Sequence, residues 1–199
     1  MWDELMKPVG GLLRRTGISP NAITLGGLVI QGGAASLIVA DRLWLAGVVA
    51  TAAALADTLD GAVAKARGEV RKFGALLDST ADRLADALFF APVAWLYGFD
   101  PPPGRAGQQW VAALALVTLV ASFLVSYVKA RAEGLGLQCN TGIAERAERL
   151  ILIILALLLD IVPVMLVVLA ALSIITFIQR LMYVRAQIPA SQRPRRVPR

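Results

Sequence analysis

The apolar positions along this chain fall into six long runs separated by short polar breaks. "SPN" at 19–21 reads as a helix start, with Ser19 placed to cap and Pro20 in the first turn. An apolar run follows to about Ala40, and others cover about Leu43 to Ala64, Phe73 to Phe99, Trp110 to Ala130, Ile143 to Leu159 and Pro163 to Val184. Each approaches the roughly 20 residues that a helix needs to cross a bilayer. "DPPPGRAG" at 100–107 is a loop, because consecutive prolines cannot continue a helix. Ahead of the first run, Trp2, Leu5, Met6, Val9, Leu12 and Leu13 recur at helical spacing beside Lys7, Arg14 and Arg15. That is the pattern of an amphipathic helix lying on a membrane surface, without the apolar core and cleavage site of a signal peptide. The expectation is an all-α polytopic membrane protein. It would have an amphipathic juxtamembrane helix over 1–17, a six-helix transmembrane domain over 18–184 and a basic, disordered tail over 185–199.

Composition agrees with the pattern. The chain is 57% hydrophobic and 17% charged, with mean hydropathy +0.67, more apolar than the roughly 45–50% of soluble domains. A single cysteine, Cys139, excludes an internal disulfide and reads as a loop residue. There is no histidine, so a metal site would rest on oxygen ligands, which suit hard cations such as Mg²⁺, Mn²⁺ or Ca²⁺. Glycines 26, 27, 32 and 33 read as helix-packing contacts.

Charge then orients the chain. Six spans put both termini on one face, and every Lys and Arg except Arg42 and Arg105 falls on that face. The positive-inside rule makes it cytoplasmic. The expected location is the cell membrane, multi-pass, with both termini and the second-to-third and fourth-to-fifth loops in the cytoplasm. The basic tail then also rests on anionic lipid.

Acids stand against this apolar background. Asp57 and Asp60 lie three residues apart near the cytoplasmic end of the second run; Asp78 and Asp82 lie four apart at the start of the third. Each pair occupies one helical face, and the short connection brings the pairs together. Four bare carboxylates beside a bilayer would repel and cost several kcal/mol each to desolvate. Two divalent cations of the Mg²⁺ type, with Mn²⁺ a possible substitute, would balance their charge. The plainer reading pairs them with Lys65, Arg67, Arg71 and Lys72, but leaves two single-faced pairs with glycines between them unexplained. Asp86 extends the row by four residues, with Arg83 as its simplest partner.

"DTLDGAVAK" (57–65), eight residues, then "GALLDSTAD" (74–82) resembles the signature of the CDP-alcohol phosphatidyltransferases, D-x-x-D-G-x-x-A-R followed by G-x-x-x-D-x-x-x-D. Lys65 stands where that pattern has arginine. "SPNAIT" (19–24), "SYVKARAEGLGL" (126–137), "GIAERAERLI" (142–151) and "IQRLMYV" (178–184) are similar to the actinobacterial branch that uses inositol phosphate. The resemblance implies a homodimeric six-helix enzyme in membrane lipid. It would transfer phosphatidyl from CDP-diacylglycerol to inositol phosphate, a phosphorylated polyol, and release CMP; no nucleic-acid partner is expected. It implies that Asp57, Asp60, Asp78 and Asp82 hold two metal ions, with Asp82 also the general base. It further implies that Asn21, Ala22, Ile23, Thr24, Gly61, Lys65, Arg71 and Gly74 lie against the nucleotide of CDP-diacylglycerol.

The acceptor phosphate asks for several cations. Lys129, Arg131, Arg146, Arg149 and Arg180 fall at cytoplasmic helix ends, and Arg146 and Arg149 share a face. Glu145 and Glu148 are placed to orient the arginines. Two rivals stand beside this reading. Glycerol 3-phosphate as acceptor needs the same metals and a similar pocket. An acid-lined divalent-ion transporter would favour midplane sites and inverted repeats, and no repeat is present.

Overall fold

The structure is a computed structural model describing residues 19–67, 72–99, 101–143 and 145–188, with the side chains of Pro20 and of 56–67 outside that description. The expected N-terminal amphipathic helix, Arg71 and most of the expected tail therefore lie outside the described residues.

The described residues form six α-helices and one turn of 3₁₀ helix, without strands: α1 (Pro20–Val39), α2 (Leu43–Arg67), α3 (Lys72–Gly98), 3₁₀ (Pro103–Arg105), α4 (Gln109–Gly134), α5 (Arg146–Leu158) and α6 (Val162–Gln187). Their order and places match the six apolar runs. Ser19 caps α1 as its spacing predicts, its hydroxyl accepting from the Ala22 N–H at 3.2 Å, with Pro20 opening the helix. Two ends differ from expectation. α5 starts at Arg146, after Gly142 in a positive-φ conformation and a bend at Ile143. α6 continues past Val184 to Gln187, whose side chain brackets the backbone of Gln138, accepting from its N–H at 3.0 Å and donating to its carbonyl at 2.6 Å. Residues 185–187 thus belong to the bundle and not to a tail.

Each helix packs on two others, which closes a ring in the order α1–α2–α5–α6–α4–α3 and back to α1. Helices α3 and α5 face each other across it. One buried cluster draws on all six helices: Ala34 and Ile38 from α1, Ala46 and Ala50 from α2, Phe89, Phe90 and Val93 from α3, Val111 and Ala115 from α4, Ile153 and Leu157 from α5, Leu166 and Leu169 from α6. Small side chains let the helices approach closely. At Gly47, a Cβ would come within 2.8 Å of the Leu158 side chain, so α2 and α5 touch there. Among the described residues, nothing lies within 4 Å of a Cβ built at Gly26, Gly32 or Gly33, so these glycines make no close helix contact within the described part of the bundle. Large apolar side chains such as Val29, Trp44, Val120 and Val164 are exposed, as a lipid-facing surface requires.

The six expected spans divide. Among the described residues, three helices are long and apolar enough to cross a membrane: α1 over Asn21–Val39, α4 over Gln109–Gly134 and α6 over Val162–Gln187. In α2 the described apolar stretch covers Leu43–Leu55. α3 carries Asp78, Asp82, Arg83 and Asp86 in its first half. α5, at 13 residues, is only about 20 Å long. The chain reads as a polytopic membrane protein on the three.

At one end of the ring a single arginine ties the bundle. Arg105 Nε donates to Asp41 at 2.7 Å, Nη1 to the buried Tyr97 hydroxyl at 2.6 Å, and Nη2 to Asp160 at 2.9 Å. Asp41 and Asp160 end the α1–α2 and α5–α6 turns with φ of +54° and +52°, a conformation that aspartate tolerates better than most side chains. Burial opposes the Arg105 charge, but the hydrogen bonds it donates to Asp41 and Asp160 outweigh it and raise the pKa.

Candidate active site

The other end of the ring opens into a cavity of about 710 Å³, walled by α3, α4, the start of α5 and α6. Helical spacing supplies its polar lining. On α3, Ser79, Asp82 and Asp86 follow at three- and four-residue intervals; on α5, Arg146 and Arg149 are three apart; on α4, Ser126, Lys129 and Glu133 share a face.

Four of the five cations expected at the acceptor phosphate line this cavity: Lys129, Arg146, Arg149 and Arg180. Arg131 does not; it is exposed on α4. The reason was legible, since residues two apart on a helix point to different faces, and Lys129 faces the cavity.

Arg180 is 4% exposed. Its Nη1 donates to the Val125 carbonyl at 3.0 Å, Nε to the Thr141 carbonyl at 2.8 Å, and Nη2 reaches Glu145 at 3.4 Å. It thereby pins the loop between α4 and α5 to α6. Gly142 lies directly over it: φ is +141°, and a Cβ there would strike the Thr176 methyl at 2.7 Å. Cys139, in the same loop as expected, is nonetheless buried. Glu145, one of the two glutamates expected near the arginines, thus contacts Arg180.

The acids separate into two groups. Asp82 Oδ1 lies 2.9 Å from Arg146 and Oδ2 lies 3.9 Å from Arg83, at the cavity wall. Asp78 stands one turn nearer the start of α3, exposed. Asp57 and Asp60 lie in the last turns of α2, their side chains outside the description, as are those of Gly61 and Lys65. Gly74 is half-buried in the first turn of α3. The described residues alone hold no group of three or more metal-ligating side chains. Their donor set, Asp78 and Asp82 as oxygen ligands without histidine or cysteine beside them, has the chemistry of a hard divalent cation.

Asp86 corrects its expected pairing. Its Oδ2 accepts from Arg149 Nη2 at 3.0 Å, across the ring, and not from Arg83, which donates to the Ser79 carbonyl. No local pattern signalled this, because the partners are 63 residues apart.

Of the residues expected at the nucleotide, Asn21, Ala22 and Ile23 form the first turn of α1, partly or fully exposed. Thr24 is buried and lines a second, much smaller cavity of about 40 Å³ with Gln31, Ala53 and Arg146. Arg146 borders both cavities.

A family-wide sequence profile described as CDP-alcohol phosphatidyltransferase matches residues 17–191. The phosphatidylinositol phosphate synthase of Mycolicibacterium smegmatis is 40% identical over 152 residues, which cover 75% of this chain and 65% of that protein. The match thus spans a little under two thirds of that relative's length. The crystal structure of Mycobacterium tuberculosis phosphatidylinositol phosphate synthase with CDP-DAG bound superposes with a TM-score of 0.84 at 31% identity, covering 98% of this chain and 100% of that one. The same M. tuberculosis synthase in complex with manganese and citrate gives a TM-score of 0.83 at 32% identity, covering 95% of this chain and 92% of that one.

Proposed function

Because the chain belongs to the CDP-alcohol phosphatidyltransferase family, we propose that it transfers the phosphatidyl group of CDP-diacylglycerol to inositol phosphate, releasing CMP. The observation that carries this reading is the cavity: Lys129, Arg146, Arg149 and Arg180 line one space with Asp82 on its wall. That arrangement suits an acceptor bearing both a phosphate and a hydroxyl that must lose a proton. The M. smegmatis and M. tuberculosis relatives, named as phosphatidylinositol phosphate synthases, support inositol phosphate over glycerol 3-phosphate.

In this reading the cations grip the acceptor phosphate. Lys129 contributes a mobile point charge and the arginines planar donor forks. Arg131, exposed outside the cavity, has no part in that grip. Asp82 takes the proton from the attacking hydroxyl. Its closeness to that hydroxyl matters more than its basicity, since its negative charge is already stabilised by Arg146. Asp57, Asp60, Asp78 and Asp82 would hold the divalent ions, two Mg²⁺ or Mn²⁺, and the relative solved with manganese supports a divalent metal. When bound, the metals supply positive charge to the pyrophosphate and the departing CMP. Asn21 to Thr24, Gly61, Lys65, Arg71 and Gly74 would lie along the nucleotide. The protein would act as a multi-pass homodimer of the cell membrane, with the cavity, both termini and the basic tail in the cytoplasm. The arrangement of the cations favours that orientation.

The test is CMP release from CDP-diacylglycerol against inositol phosphate, glycerol 3-phosphate and the free alcohols, with Mg²⁺ or Mn²⁺ present. Turnover should require inositol phosphate and stop with a chelator. Turnover with glycerol 3-phosphate alone would move the chain to the other acceptor class.

A further inference from the structure

The row of acids on α3 runs one turn beyond the metal signature. Asp78, Asp82 and Asp86 recur every four residues and share a face. Two of them reach α5 in successive rungs: Asp82 to Arg146 at 2.9 Å, and Asp86 to Arg149 at 3.0 Å. The rungs differ in burial. Side-chain exposures are 18% and 32% for Asp82 and Arg146, but 12% and 4% for Asp86 and Arg149. The inner pair is taken almost wholly out of water. A buried ion pair gains little net stability, because desolvation offsets the attraction. It crosses the ring between α3 and α5, whose most extensive packing is on other helices: α3 on α1 and α4, α5 on α2 and α6. Net stability alone therefore leaves this pair unexplained. Its place on the wall of the cation-lined cavity does not.

We propose that Asp86 is a positioning residue for acceptor binding, acting through Arg149. A guanidinium presents five donors in one plane, and a bond from Nη2 to Asp86 sets the tilt of that plane. The arginine then meets an incoming phosphate edge-on, with its rotamer already chosen. Asp86 itself touches no substrate. Its charge works against phosphate binding, since a carboxylate behind the arginine weakens the local positive field. The two effects predict opposite signs on removing it. If orientation dominates, loss of the carboxylate weakens acceptor binding; if field dominates, loss strengthens it. The burial of Arg149 favours orientation, because a desolvated guanidinium without its carboxylate would turn toward other acceptors.

This inference rests on the cavity being the acceptor site, and the experiment separates the two. Full-length protein is assayed in detergent with CDP-diacylglycerol, Mg²⁺ or Mn²⁺, and inositol phosphate. Asp86→Asn should raise the acceptor KM about tenfold, with the CDP-diacylglycerol KM and kcat changed less than about twofold. Placed in an Arg149→Lys background, the same change should add less than about twofold, since the group it orients is gone. Asp86→Glu keeps the charge but misplaces it by one methylene, and should raise the acceptor KM about threefold. That variant decides the question if Asp86→Asn does not fold. An unchanged or lowered acceptor KM overturns the proposal. So does an equal rise in both KM values, or a full tenfold effect that persists beside Arg149→Lys.

If the wild type turns over no phosphorylated acceptor, the reading of the cavity fails. Asp86 is then judged with inorganic phosphate as probe. Phosphate should raise the wild-type melting temperature, and both Asp86→Asn and Arg149→Lys should lose that shift. Retention of the full shift by Asp86→Asn overturns the proposal in that case too.

Discussion

The two ends of the ring hold similar chemistry and put it to different uses. At the Arg105 end, one cation meets Asp41, Asp160 and the Tyr97 hydroxyl, over a core to which all six helices contribute. At the other end, Arg83, Lys129, Arg146, Arg149 and Arg180 stand around about 710 Å³ of open space, with Asp82, Asp86, Glu133 and Glu145 beside them. In the first case the acceptors come from three separate segments of the chain and the charges close on one another. In the second, charged side chains from four helices line an open volume and do not close on a single centre. A bundle whose apolar cluster is concentrated toward one end leaves the other end unfilled. Polar side chains at that open end therefore face a ligand-sized volume. The lesson is that the clasp should govern stability and the cavity should govern turnover.

The largest expected effect is at the cavity. Asp82→Asn should cut CMP release by about 10²–10⁴, the range for losing a general base, with the melting temperature close to that of wild type. Full activity in that variant would remove Asp82 from the chemistry. At the clasp, Arg105→Ala should cost about 2–4 kcal/mol of stability, because it strands partners that it had bonded. Turnover per folded molecule should stay near wild type; a selective loss of turnover would break the division between the ends. Between the ends, Gly47→Ala should destabilise by about 1–3 kcal/mol, since the added methyl has no room beside Leu158. Denaturation in detergent would measure it. The smallest effect should come from Asp160→Asn, about 0.5 kcal/mol, because Asn tolerates the same backbone and still accepts from Arg105. A loss several times larger would mean that the clasp depends on charge more than on geometry.

Much of the open end was legible along the chain. Asp82, which lines the cavity, announces itself by its spacing from Asp78, and the cations at 129, 146, 149 and 180 by position at helix ends; the side chains of Asp57 and Asp60 lie outside the described residues. Arg131 shows where that second signal is too coarse, because closeness in sequence does not choose a helical face. The closed end was nearly silent. Arg105 stood out only as one of two cations on the minority face, and nothing local pointed to Asp41, Tyr97 or Asp160 as its partners. Asp86 was misread for the same reason: Arg83 is its neighbour in sequence, whereas Arg149 is its neighbour in the bundle.

By itself, the sequence determined six helices, where most of them begin and end, and which acids and bases fall near each other's helix ends. Those are consequences of period, capping and hydropathy, which act over a few residues. Tertiary structure alone decided which arginine each aspartate meets, which helices neighbour one another and which end stays open. Each of those depends on distances between segments tens of residues apart, and such distances exist only once the ring has closed.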